Sequence, residues 1–199
     1  FNKDGAYGEA SPQNFKEAVR CRLNGQRPVG VALSGGLDSG SVAMTTAQLL
    51  KREQQPVLAF SHVPLYDTGN AVNENQRFGD ESPYVQAVAA KSGNIKITWI
   101  KNTQINPIAG QAHLLNCFPE PIFGAVNSFW LYQLVRKAKE RQTGVLLLGQ
   151  LGNATISFNG MGFLANLAKT RQLMRLYREV KALGKTQANS FWRVFASNV

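Results

Sequence analysis

A run of seven residues, Leu33-Ser34-Gly35-Gly36-Leu37-Asp38-Ser39, concentrates most of the chemistry that this sequence offers. Two consecutive glycines let the backbone turn with no Cβ to hold off a ligand. Their N–H groups, with those of a helix beginning near Asp38, can converge on one anion, and the helix dipole adds to the attraction. Ser34 and Ser39 supply hydroxyl donors. The pattern is a cradle for phosphate. It is not the usual P-loop, because no Lys follows the glycines and the spacing differs. Asp38 is costly beside phosphate unless a divalent cation bridges the two, which points to Mg²⁺. The plain structural alternative is a Gly-rich strand-to-helix turn with Asp38 as the helix cap.

Other reactive side chains are sparse. Cys21 and Cys117 are the only cysteines and lie far apart in sequence, which excludes a disulfide scaffold and a CxxC metal or redox motif. His62 and His113 are the only histidines, too few for a His-rich metal site. His62 follows an apolar run at the ligand edge, where a lone loop histidine is usually incidental. Glu81 opens a helix, where the dipole favours an acid. Neither is counted among the catalytic residues.

The elements that must hold the cradle follow a regular alternation. Ser11-Pro12 reads as a helix start, with Phe15, Ala18, Val19 and Leu23 at helical spacing and Gly25 as the stop. Pro28–Leu33 (PVGVAL) is short and apolar, as a buried strand is. A helix with Val42, Thr46, Leu49 and Leu50 on one face follows the cradle. Residues 57–61 (VLAFS) form a second strand, and 62–80 a long polar loop of the functional or mobile kind. The third helix opens at Asp80-Glu81-Ser82-Pro83 and ends at Gly93. Residues 95–100 (IKITWI) form the third strand. A loop with Pro107, Pro119 and Pro121 leads to a helix through Phe129, Leu131 and Val135. Residues 145–148 are the fourth strand candidate, and the tail carries an amphipathic helix through Leu173, Leu176, Tyr177, Val180 and Leu183. Strands alternating with helices predict an α/β, doubly wound parallel sheet. In such sheets ligands bind beyond the carboxyl ends of the strands, where strand order reverses. A four-stranded sheet is small, so a further edge strand is expected.

Composition sets the outer limits. The chain has 199 residues, 44% hydrophobic and 17% charged, enough for about one packed domain and unlike a disordered chain. No apolar run is long enough to span a bilayer, and no basic-then-apolar leader opens the chain. The expectation is a reduced, soluble, cytoplasmic protein. The formal charge is +10. Residues 169–199 contribute seven cations, Lys169 and Arg171 among them, against Glu179 alone, a net +6, which leaves +4 for the first 168 residues. No aromatic or Gly-rich RNA-binding motif accompanies that charge, so it reads as a solvated face or a surface meeting an acidic domain, and nucleic acid is not expected as a partner. Phe1 is not an initiator Met and the chain stops abruptly at Val199, so it is expected to be a fragment.

The run Ser34-Gly35-Gly36-Leu37-Asp38-Ser39 resembles the SGGxDS pyrophosphate loop of the ATP pyrophosphatase superfamily. With its flanks (RPVGVALSGGLDSGSVA), the helix holding Glu81, Tyr84, Val88 and Ala89, and a strand running into a Gly-rich turn at 145–152, it resembles the synthetase domain of the glutamine-dependent asparagine synthetase family. The likeness is tight at 27–43 and looser over the rest of 11–165. It implies an adenine-nucleotide alpha-hydrolase-like, Rossmann-like domain over 1–165, with 166–199 a basic helical extension of that domain, itself truncated. It also implies a ligase reaction using ATP and Mg²⁺. A carboxylate, aspartate first, attacks the α-phosphate to give an acyl-adenylate and pyrophosphate, and ammonia from a glutaminase domain then displaces AMP. Carried onto this chain, Leu33 and Phe60 frame adenine with backbone groups, and Ser34, Gly35, Gly36 and Ser39 hold pyrophosphate. Asp38 meets Mg²⁺ and Gly149 lies beside the ribose or α-phosphate.

The resemblance has gaps. The family's second motif, Gly-Glu-Gly-x-Asp-Glu, here reads Gly149-Gln150-Leu151-Gly152-Asn153-Ala154. Gln150 and Asn153 keep hydrogen-bonding shape but lose charge and basicity, which weakens metal binding or proton transfer there. They either orient substrate in a catalytic role or merely satisfy the turn. No N-terminal cysteine is present to serve a glutaminase, so that half is expected in a separate domain or subunit. The family's later helical part, which supplies catalytic basic residues, extends beyond this length. Four readings stay open: an asparagine-type synthetase, a divergent macrolactam- or β-lactam-forming relative, a tRNA-modifying member of the superfamily, and a nucleotide-binding module without turnover.

Overall fold

The computed structural model describes residues 4–23, 25, 28–66, 68, 79–101, 103, 105–116, 120, 128–157 and 162–186. Four short strands, β1 (Val29–Ala32), β2 (Val57–His62), β3 (Ile95–Ile100) and β4 (Val145–Leu147), pair in parallel in the order β3-β2-β1-β4. The register aligns Val29 with Val57 and Val145, and Val57 with Ile95. Parallel neighbours need crossovers, and these are supplied by α2 (Leu37–Lys51), α3 (Ser82–Ser92) and, before β4, α4 (Pro107–Leu115) and α5 (Ser128–Glu140). The expected fifth strand is not found among the described residues.

Apolar residues pack on both faces of the sheet, which is why β1, β2 and β4 read as mainly hydrophobic runs, whereas the edge strand β3 alternates and exposes Lys96 and Trp99. Val29, Val31, Val57 and Ala59 point to one side and pack on Ala43, Ala47 and Leu50 of α2 and Val85 of α3. Phe60 and Ile100 point to the other side and pack on Leu134 and Ala138 of α5. Each such burial is worth roughly 1.5–3 kcal/mol, so together these two faces are ample to hold helices of ordinary propensity. Gly30 makes this second layer fit. A Cβ there would lie 2.7 Å from Thr143 Cγ2 and 3.1 Å from the Phe60 ring.

Three elements differ from the sequence reading. The first helix, α1 (Asp4–Arg20), begins before Ser11 and carries Pro12 inside it, forgoing one backbone bond there. Pro107 starts a helix instead of sitting in a loop, because Asn106 caps it: Asn106 Oδ1 accepts the Ala109 N–H at 2.8 Å, and a proline in the first turn has no donor to lose. Gly110 lets α4 press on α5, since a Cβ would come 2.4 Å from Phe129 Cα. The third difference is a short helix, α6 (Phe163–Lys169), ahead of the expected tail helix α7 (Leu173–Thr186).

Residues 1–151 and 152–199 form two compact units. In the second, Leu164 and Leu167 of α6 pack on Leu176 and Val180 of α7. Leu173 and Tyr177, on the same helical stripe by sequence, stay exposed. None of the described helices is long and apolar enough to cross a membrane.

Candidate active site

Strand order runs outward from β1 to β2 to β3 and then returns to β4 on the far side of β1. The crossovers on either side of β1 therefore leave in opposite directions and open a crevice at the carboxyl ends of β1 and β4. A cavity of about 630 Å³ occupies this place. Leu33, Ser34, Gly36, Asp38, Ser39, Phe60, Gly149 and Gln150, named from the sequence as site residues, all line it.

The floor is the turn from β1 into α2. Gly36 is the N-cap, with extended backbone and no side-chain cap bond, so Asp38 is not the cap. Asp38 lies in the helix's first turn instead, and its Oδ1 is buried without a hydrogen-bond partner among the described residues. An orphaned carboxylate oxygen is expensive unless a cation satisfies it. Ser34 and Ser39 are paired, Oγ to Oγ, at 2.7 Å. The Ser34 N–H donates to Ser39 Oγ at 3.1 Å and the Gly36 N–H to Ser34 Oγ at 3.3 Å. The two serines thus brace the loop as well as face the cavity. The Gly35 N–H donates to Glu81 Oε2 at 3.0 Å.

The end of β4 closes against this turn. A Cβ on Gly149 would sit 2.6 Å from the Ser39 backbone nitrogen and 2.8 Å from its Cα, so only glycine fits. After Gly149 the chain is exposed at Gln150, and Leu151 takes φ +64, a left-handed backbone that suits glycine. Asn153 belongs to the second compact unit, in a 3₁₀ turn at Gly152–Ala154, where its Oδ1 accepts the Ser157 hydroxyl at 3.1 Å.

The opposite wall is apolar. Trp130, Leu131 and Leu134 of α5 line it, a helix that the sequence predicted but did not connect to the site. His62, at the end of β2, also lines the cavity, with its ring edge-on to Phe129 at 6.1 Å and tilted against Trp130 at 6.3 Å. Burial lowers its pKa below the ordinary histidine value, which favours the neutral ring. The Leu33 N–H donates to the Phe60 carbonyl at 3.0 Å, so the two segments expected to frame a base are joined by a last rung of the sheet.

Glu81 and His62 are site residues that sequence reasoning left aside. The signal for His62 was its position at the carboxyl end of β2, and for Glu81 its position just before α3 together with its place in the family resemblance. As for a metal, no group of three His, Cys, Asp or Glu side chains among the described residues is placed to hold one. A divalent cation at Asp38 fits only as an ion that takes one protein carboxylate and the rest of its oxygens from ligand and water, which is the habit of Mg²⁺ in phosphate sites.

Residues 12–198 match the family model described as asparagine synthase. The match extends past residue 165 through the basic tail. No individual curated protein matches the chain.

Proposed function

From the premise that this chain belongs to the asparagine synthase family, we propose that it is the synthetase part of an AMP-forming amide ligase, with its nucleotide in the cavity between β1 and β4. ATP-dependent amide synthesis is the family's reaction; the assignments below are our reading of this chain. The observation that carries it is the buried, unpartnered Asp38 Oδ1, next to a helix N-terminus and a braced Ser-Gly-Gly turn.

In this reading the base of ATP lies against Trp130 and Leu134, and its phosphates reach the first turn of α2. A carboxylate oxygen of the substrate, aspartate being the first choice, bonds to the α-phosphorus while the bond to the bridging oxygen of pyrophosphate breaks. Negative charge gathers on the departing pyrophosphate, and the first-turn N–H groups and serine hydroxyls stand ready for it without reorganising. Mg²⁺, when bound, supplies neutralisation of that charge. Asp38 is the residue that holds it. Gly149, which lets the end of β4 press against the Ser39 backbone, would lie beside the ribose or α-phosphate. An amine nitrogen then bonds to the acyl carbon, AMP leaves, and the nitrogen loses a proton. Ammonia delivered by a glutaminase domain is the family-based source. Gln150 can orient a substrate but is a poor base.

The test is pyrophosphate–ATP exchange with Mg²⁺, with and without aspartate. Aspartate-dependent exchange supports adenylation of that acid. Exchange only with another carboxylate supports the second reading, a relative that closes an amide with an internal amine, which the amides at Gln150 and Asn153 favour. ATP binding with no exchange for any acid tried removes the catalytic reading.

A further inference from the structure

Glu81 is the N-cap residue of α3, yet its carboxylate makes no capping bond. That work is done by its neighbour. Asp80 Oδ1 accepts both the Ser82 N–H at 2.9 Å and the Ser82 hydroxyl at 2.6 Å, and these bonds lower the Asp80 pKa below the ordinary carboxylate value. Glu81 is therefore released from its own helix, and its side chain crosses to the β1–α2 turn, where Oε2 accepts the Gly35 N–H at 3.0 Å. The fit is close on both sides: a Cβ on Gly35 would lie 3.1 Å from Glu81 Cβ and 3.2 Å from Tyr84 Cβ.

With this bond, every amide of the Ser-Gly-Gly turn has a side-chain acceptor within the protein. Ser34 N–H has Ser39, Gly35 N–H has Glu81, and Gly36 N–H has Ser34. Two of the three are neighbours on the same turn. Glu81 alone comes from another element, 46 residues away. It fixes the turn against α3, and it removes Gly35 from the donors that an anion can use. The donors left are those of the first turn of α2, whose N–H groups have no intrahelical partner by helix geometry.

We propose that Glu81 is a positioning residue of the nucleotide site: it acts through Gly35, holding the turn so that the first-turn amides of α2, and not the Gly35 N–H, receive the leaving phosphate. This rests on the reading of the cavity as an ATP site. The carboxylate works as a hydrogen-bond acceptor, so the amide oxygen of glutamine can replace it and a methyl group cannot.

The experiment measures Mg·ATP affinity of the whole chain by titration calorimetry for wild type, Glu81→Gln and Glu81→Ala, with thermal unfolding of each. Glu81→Gln should bind within about fivefold of wild type, and Glu81→Ala should bind roughly 10- to 30-fold more weakly. Equal unfolding temperatures for the two variants separate positioning from a loss of folding. Unchanged binding in Glu81→Ala overturns the proposal, and tighter binding does so by showing that Glu81 competes with phosphate for Gly35. Glu81→Gln as weak as Glu81→Ala, with a raised Mg²⁺ requirement, overturns it in favour of a metal ligand. Wild type that binds no ATP removes the underlying reading of the cavity, and this inference with it.

Discussion

The turn after β1 and the end of β4 at Leu148, Gly149 and Gln150 line the same crevice, and they differ in kind. The turn after β1 keeps its acid and its serines, and each of its loop amides has a side-chain acceptor. At the end of β4 the packing demands Gly149. Where the motif of the resembled family carries acids, this chain has Gln150 and Asn153, and Leu151 sits in a backbone region that costs a branched residue roughly 1–2 kcal/mol. On the proposed reading the contrast separates two jobs. The β1–α2 turn would hold the nucleotide through its backbone geometry. The end of β4, where Gln150 carries no charge and Gly149 lies close against α2, would be where substrate chemistry is chosen.

The comparison breaks most readily at Asp38. Asp38→Asn should lower Mg²⁺-dependent exchange by two orders of magnitude or more, on the order of a lost metal or oxyanion-type contact. Stability to urea without metal should be unchanged or slightly raised, because the substitution removes the charge of a buried oxygen that has no partner among the described residues. Next is Gly149→Ala. The new methyl would meet backbone at 2.6 Å, which cannot swing aside, so a loss of about 1–3 kcal/mol in urea unfolding is expected, together with weaker ATP binding. A conformational change smaller in energy is expected across the crevice. Leu151→Gly relieves the left-handed backbone but adds unfolded-state entropy, for a net gain of about 0.5–1 kcal/mol in the same assay. A loss of stability on that change would mean that the leucine side chain holds the turn.

The smallest effect concerns His62. Its folded pKa lies below 6.5, so between that value and 6.5 the unfolded chain binds more protons than the folded one. Stability contributed by the neutral ring is therefore full above pH 6.5 and falls as the pH drops through the folded pKa. Urea midpoints at pH 5 and pH 8 should differ less in His62→Gln than in wild type. An unchanged difference would assign the acid sensitivity to other groups.

The sequence was informative where a local rule decides. Strands β1, β2 and β4 were legible because a sheet buried on both faces leaves mainly apolar runs at 29–32, 57–62 and 145–147, and β3 was legible because IKITWI at 95–100 alternates. The strand-to-helix turn at Ser34–Ser39 was legible because two glycines and two bracing serines favour it locally, whatever surrounds it. The helix at Pro107 was missed because proline is ambiguous: it ends helices from inside and begins them after a cap, and Asn106 decided between the two. The part of α1 before Ser11 was missed for the same reason, since Ser11-Pro12 reads as a helix start.

By itself, then, the sequence determined the alternation of strand and helix, the glycine-rich turn between β1 and α2 and the family likeness, since each rests on residues adjacent in the chain. Only the tertiary structure decided that β4 returns beside β1, that Gly149 presses on Ser39, and that Trp130, His62 and Glu81 reach the same cavity. Those residues lie tens of positions apart, and no local preference encodes their meeting. It follows from packing both faces of one twisted sheet, which brings the carboxyl ends of β1, β2 and β4 and the start of α3 to a single edge.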